Sequence, residues 1–130
     1  MKIMVGYDQS NVSKAALELA KKHVRAFSGK LYIVTHMVGG RDVPKQAFQN
    51  AEQSLKQVEA LLAGEKISCE TRLIIDSLTT GEALIDFAKE REIDEIFVGV
   101  KKRSKVGKLL LGSTAQYLII KAKCPVMAVK

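Results

Sequence analysis

Two periods alternate along the chain. Lys2-Ile3-Met4-Val5-Gly6-Tyr7 is a short, nearly continuous apolar run, the pattern of a strand buried on both faces. Val12, Ala15, Ala16, Leu19, Ala20, Val24 and Phe27 then recur at three and four residues, which predicts a helix capped by Ser10 and closed at Gly29. Leu31 to Thr35 is β-branched and aromatic, a second strand. Beyond a loop marked by Gly39, Gly40 and Pro44, the stripe Ala47, Phe48, Ala51, Leu55, Val58 and Leu62 predicts a second helix ending at Gly64. Residues 67–75 read as a third strand. Thr79, with Glu82 three residues on, forms a capping box for a helix through Leu84, Ile85 and Ala88. Residues 93–99 read as a fourth strand, and Ala115, Leu118, Ile119 and Ala122 mark a fourth helix. Residues 125–129 complete the pattern as a fifth strand, with Pro125 at its first position, where proline is tolerated.

Strict alternation of strands and crossover helices implies an α/β fold, a five-stranded parallel sheet with helices on both faces. No long linker, repeat or low-complexity segment interrupts it, so residues 1–130 are expected to form a single domain. Ligands of such sheets sit beyond the carboxyl ends of the strands, beside the point where the winding direction reverses. The residues of interest therefore follow the strands: Tyr7 to Ser10, His36 to Val38, Asp76 and Ser77, Gly99 to Lys105, and the start of the last helix.

Composition narrows the class of partner. Twenty-one Lys and Arg against fourteen Asp and Glu give a net charge of +7, which favours an anion. The longest apolar runs, such as Ile3 to Tyr7, are far short of the about 20 residues of a transmembrane helix, and the N-terminus carries no apolar signal region. A cytoplasmic protein without a membrane partner is expected. Four Phe, three Tyr and no Trp leave little for stacking nucleic-acid bases, which argues against that partner. Cys69 and Cys124 have neither CxxC spacing nor nearby histidines, so they read as small core residues rather than metal ligands.

The chemistry concentrates between the fourth strand and the last helix. Lys101, Lys102, Arg103, Lys105 and Lys108 place five cations in eight residues. Downstream, Gly112-Ser113-Thr114 opens a helix whose first amides lack intrahelical partners, and whose dipole favours an anion. The hydroxyls of Ser113 and Thr114 add donors. A Walker A loop is excluded, because Gly107-Lys108 is followed by Leu109 and lacks the earlier glycine. The dinucleotide fingerprint is excluded too, since Gly6-Tyr7-Asp8-Gln9-Ser10-Asn11 does not fit it.

The segment instead resembles that of the universal stress protein family, which carries G-x2-G-x9-G-[S/T] in this place. The frame falls on Gly99, Lys102, Gly112 and Ser113, with three of four positions matched. The leucine run before Gly112, the Cys124-Pro125-Val126 entry to the fifth strand, Asp8 after the first strand and His36 closing the second also agree. The resemblance spans the chain. It implies the strand order 3-2-1-4-5 of the adenine nucleotide alpha hydrolase-like, Rossmann-like fold and a cleft between strands 1 and 4. It implies ATP binding, with or without Mg, in a stress-response regulatory module. Adenine would lie against the backbone near Met37, ribose against Asp8, and phosphates against the amides of the glycine loop, Gly112, Ser113 and Thr114. It also implies a homodimer through the C-terminal strand, where Val126-Met127-Ala128-Val129 presents an apolar edge.

Lys102 departs from that frame, where ATP-binding members carry glycine. If the position needs a positive φ, lysine costs roughly 1–2 kcal/mol. If it faces a phosphate, the ammonium is itself a ligand. Some family members bind no nucleotide, and the alternative is a nucleotide-free homodimeric interaction protein of the same fold. Asp8 reads as a ribose acceptor or as an Asx-turn residue. His36 reads as a strand-end histidine bonded to its surroundings, since the sequence implies no nucleophile or carboxylate partner for it. Asp76 either reaches the cleft or caps a turn. With no catalytic constellation, the chain is not expected to be an enzyme beyond slow ATP hydrolysis.

Overall fold

The computed structural model describes residues 1–101 and 111–130. Within them the chain runs β1 (Lys2–Gly6), α1 (Asn11–Phe27), β2 (Lys30–Val38), α2 (Lys45–Gly64), β3 (Cys69–Asp76), α3 (Thr80–Glu90), β4 (Glu95–Gly99), α4 (Ser113–Lys121) and β5 (Val126–Val129). The strands form one sheet in the order β3-β2-β1-β4-β5. All four pairings are parallel. Both the alternation of elements and the strand order expected from the sequence are present.

Strand pleating divides the core in two. Ile3, Val5, Leu31, Ile33 and Phe97 pack with Ala16, Leu17, Ala20, Leu55 and Val58 of α1 and α2. Met4, Tyr32, Val34, Ile96 and Val98 face the other way, against Leu84, Phe87, Ala115 and Leu118 of α3 and α4. Successive strand residues point to opposite faces, so runs that are apolar at every position are what a sheet covered on both sides requires. Cys69 and Cys124 pack half-buried at the rims of these two cores, and burial raises both thiols above their ordinary pKa.

The helix exits correct the sequence reading. The left-handed residue closing α1 is Ser28, with φ 51°, rather than Gly29. Gly29 serves a close approach instead: a Cβ there would lie 2.5 Å from the carbonyl oxygen of Met1, which accepts the amide of Lys30. After α2, Gly64 is the last helical residue and Lys66 takes the left-handed turn at φ 59°. Glu92 does the same after α3, at φ 54°. The α3 capping box of Thr79 and Glu82 is formed as expected.

The buried stripe of α1 also differs. Leu17 and Lys21 lie inside, whereas Phe27 is 56 % exposed at the last turn. Lys21 bonds Glu18 at 2.9 Å and Glu65 at 2.8 Å, tying α1 to the residue that follows α2. Its aliphatic stem covers the apolar seam while the ammonium meets carboxylates at the rim.

Candidate functional site

The chain winds outward from β1 through β2 to β3, then crosses back to place β4 on β1's other side. The carboxyl ends of β1 and β4 therefore flank the switch point, and a cleft of about 390 Å³ opens there. That is enough for a small organic ligand. Its rim comes from Tyr7, Asp8 and Ser10 after β1, from Gly99 and Lys101 at the end of β4, and from the α4 start at Gly112, Ser113 and Thr114. Val34, Leu84 and Val98 supply apolar surface beneath, with His36 and Thr80 beside them.

Asp8 sits on a turn that the sequence builds locally. Gln9 is left-handed at φ 68°, and Asp8 Oδ1 accepts the amide of Ser10 at 3.0 Å, an Asx turn. Ser10 then caps α1 by accepting the Ser13 amide. The other carboxylate oxygen, Oδ2, accepts from Lys101 Nζ at 3.1 Å. Partial burial raises the Asp8 pKa, but the bonds from Ser10 and the Lys101 ammonium outweigh it and hold the carboxyl down at about 2. Asp8 is thus an ionised cleft residue with both oxygens engaged.

Across the cleft, Gly112 is the N-cap of α4 with φ −65° and ψ 160°, and among the described residues no side chain caps the helix. The Gly112 carbonyl accepts from Gln116, while the amides of the first turn have no intrahelical acceptor. A Cβ at Gly112 would meet nothing within 4 Å among the described residues. An anion can approach this helix terminus without steric hindrance from Gly112, and the Lys101 ammonium lines the same cleft.

Gly99 is different. A Cβ on it would lie 2.6 Å from the Val12 carbonyl carbon and 2.8 Å from the Ser13 amide nitrogen. The missing side chain lets the start of α1 press onto the end of β4. Gly99 shapes the cleft by this packing, a role that a loop-motif reading does not reveal.

Of the sequence-derived site residues, the fold gathers Asp8, Gly99, Gly112, Ser113 and Thr114 around one cleft. Met37 is not among its lining residues: it follows His36 on β2, in register with Ile75 of β3. Lys102 lies outside the described residues.

His36 is bonded to its surroundings as the sequence reading has it, and one of its partners is a carboxylate that the sequence did not imply. Its wholly buried ring bonds Asp76 Oδ1 through Nε2 at 2.7 Å and Thr80 Oγ1 through Nδ1 at 2.9 Å. Asp76 also accepts the Leu78 amide at 3.0 Å, so it both closes a turn and orients the histidine. The hydrogen bond from His36 is the largest of the effects that hold the Asp76 carboxyl below its usual range. Thr80 begins α3, and the capping box beside it offered the local signal that this helix starts at the sheet's carboxyl edge. Among the described residues, no group of three or more His, Cys, Asp or Glu could hold a metal ion, and no helix is long and apolar enough to cross a membrane.

These features define a doubly wound α/β domain with a helix N-terminus and a cation gathered at its switch point. The universal stress protein family model matches residues 1–130, and the chain belongs to that family. A universal stress protein of Mycolicibacterium smegmatis is 30% identical over 98% of this chain and 96% of its own length. The solved structure of a universal stress protein from Archaeoglobus fulgidus superposes with a TM-score of 0.89 at 29% identity, covering 100% of this chain and 98% of that one. A second Archaeoglobus fulgidus structure, of the universal stress protein in complex with dAMP, has a TM-score of 0.83 at 24% identity, covering 100% and 98%. These structural neighbours share the five-stranded parallel architecture.

Proposed function

We propose that this protein is an adenine-nucleotide-binding regulatory module of the stress-protein type. Its phosphates rest on the first amides of α4, and its ribose hydroxyls are received by Asp8. The carrying observation is the uncapped α4 N-terminus opening into the switch-point cleft, with Gly112 offering no side chain to block it. Lys101 adds a cation to the same cleft. The complex of a structural neighbour with dAMP supports adenine as the base. ATP and its Mg-bound form are the ligands this reading favours, because the net charge of +7 suits a polyphosphate. A homodimer through β5 completes the module, using Ile119, Ile120 and Met127, which are 47%, 74% and 40% exposed beside that edge.

The second reading is a nucleotide-free interaction protein, and one observation favours it. Both oxygens of Asp8 are already satisfied, by the Ser10 amide and Lys101. A ribose must share or displace the Lys101 bond, which joins two side chains each about half exposed. Such exposed pairs contribute little, so exchange is inexpensive. Isothermal titration with ATP, with and without Mg, separates the readings. Saturable binding at one site per chain supports the nucleotide module; no heat at millimolar ATP supports the interaction protein.

A further inference from the structure

The hydroxyl–imidazole–carboxylate chain beneath the cleft has a direction, and that direction fixes what the cleft offers a ligand. The Asp76 carboxyl is held below its usual range and accepts, so the one-proton tautomer of His36 that fits it carries the proton on Nε2 and donates it to Asp76 Oδ1 at 2.7 Å. Nδ1 is then bare and accepts the Thr80 hydroxyl proton across 2.9 Å. A hydroxyl has one hydrogen, and Thr80 Oγ1 has no other partner among the described residues. What remains on this cleft-lining residue is an oxygen with lone pairs and no proton to give. Val34, Leu84 and Val98 form apolar surface in the same cleft, suited to a planar heterocycle, whereas the cation and the helix N-terminus lie at the rim.

We propose that Thr80 reads the base. Its proton is committed to His36, so its oxygen accepts the exocyclic amine of a 6-aminopurine and repels the carbonyl oxygen of a 6-oxopurine. The inference rests on the nucleotide reading above and names the discriminating atom within it. His36 and Asp76 are positioning residues that act through Thr80, by holding the hydroxyl proton away from the cleft.

AMP and inosine 5′-monophosphate carry the same ribose and phosphate and differ only along one edge of the base, in the 6-substituent and the adjoining N1 proton. Titration of the full chain with each at mildly alkaline pH is expected to favour AMP by about tenfold. That is the scale of one hydrogen bond made against one opposed in a partly open site. Thr80→Val removes the oxygen at nearly constant shape, and the preference should fall to about twofold or less. Thr80→Ser should keep it. Asp76→Ala, which leaves His36 Nε2 without its acceptor and so releases the fixed tautomer, should reduce it while leaving the affinity for the phosphate end intact. Thermal unfolding of each variant establishes that it is folded.

Equal affinities of the wild type for AMP and inosine monophosphate would overturn the inference and leave the nucleotide reading standing. So would a tenfold preference that survives Thr80→Val, since another group would then read the base. A preference unchanged in Asp76→Ala refutes the relay. Binding of neither nucleotide overturns the nucleotide reading and this inference together.

Discussion

Two glycines at the cleft should fail in opposite ways when given a methyl group. Gly99→Ala places a Cβ 2.6 Å from the Val12 carbonyl carbon and 2.8 Å from the Ser13 amide nitrogen. Both are backbone atoms at the start of α1, so the helix or β4 must shift by roughly an ångström to restore van der Waals separation. Overpacking of this kind costs about 1–3 kcal/mol. The rigid neighbours argue for the middle of that range or above. For a domain of this size each kcal/mol lowers the melting temperature by about 3–5 °C, so a loss of about 6–10 °C is expected. Gly112→Ala meets nothing within 4 Å among the described residues and sits at φ −65°, where alanine is unstrained. Its stability cost is that of a poorer N-cap, no more than about 1 kcal/mol. If the proposed site is right, the added methyl group crowds a phosphate approaching the α4 amides, and AMP affinity should fall about tenfold or more. Differential scanning calorimetry and titration on both variants check this. Equal destabilisation by the two, or a Gly112→Ala protein that binds AMP like the wild type, refutes the division between a packing glycine and a ligand-facing one.

Two further outcomes follow from the geometry. Light scattering at tens of micromolar should return twice the 14.3 kDa chain mass, and Ile120→Glu, at a site 74% exposed in the single chain, should return the chain mass without loss of helical content; a wild-type monomer contradicts pairing through β5. Asp8 falls from 3.8 to about 2 on folding, so its contribution to stability is in place above about pH 4 and is lost as the pH falls through about 2. Melting temperature against pH should show a shallower acid decline in Asp8→Asn than in the wild type, and identical slopes would contradict the pairing with Ser10 and Lys101.

Local patterns carried the fold because each element announces itself within its own window. The alternate faces of β1 and β2 and the capping box of α3 are local facts, and they survive intact in the structure. The misses come from contacts between distant residues. Gly29 is needed against Met1, which no helix-end rule anticipates. His36 acquires Asp76 and Thr80 from 40 and 44 residues away, once β2 and β3 pair and α3 begins at their shared edge. Lys101 reaches Asp8 across 93 residues of chain. Lys21 is buried because Glu65 arrives beside it at the end of α2, which converts a polar break in the apolar stripe into a tie between helices. The site was legible in outline for a related reason: the switch point and the α4 N-terminus follow from element order, whereas the partners of each side chain follow from packing.

The central claim is that the α4 N-terminus at the switch point holds the phosphate of an adenine nucleotide. Two-dimensional amide NMR of the isotope-labelled protein, titrated with AMP, tests it most directly. The amides of Ser113 and Thr114, at the uncapped start of α4, should show the largest saturable shifts, accompanied by Asp8 and Lys101 at the opposite rim. Unchanged spectra at millimolar AMP, or shifts confined to residues away from this cleft, contradict the account.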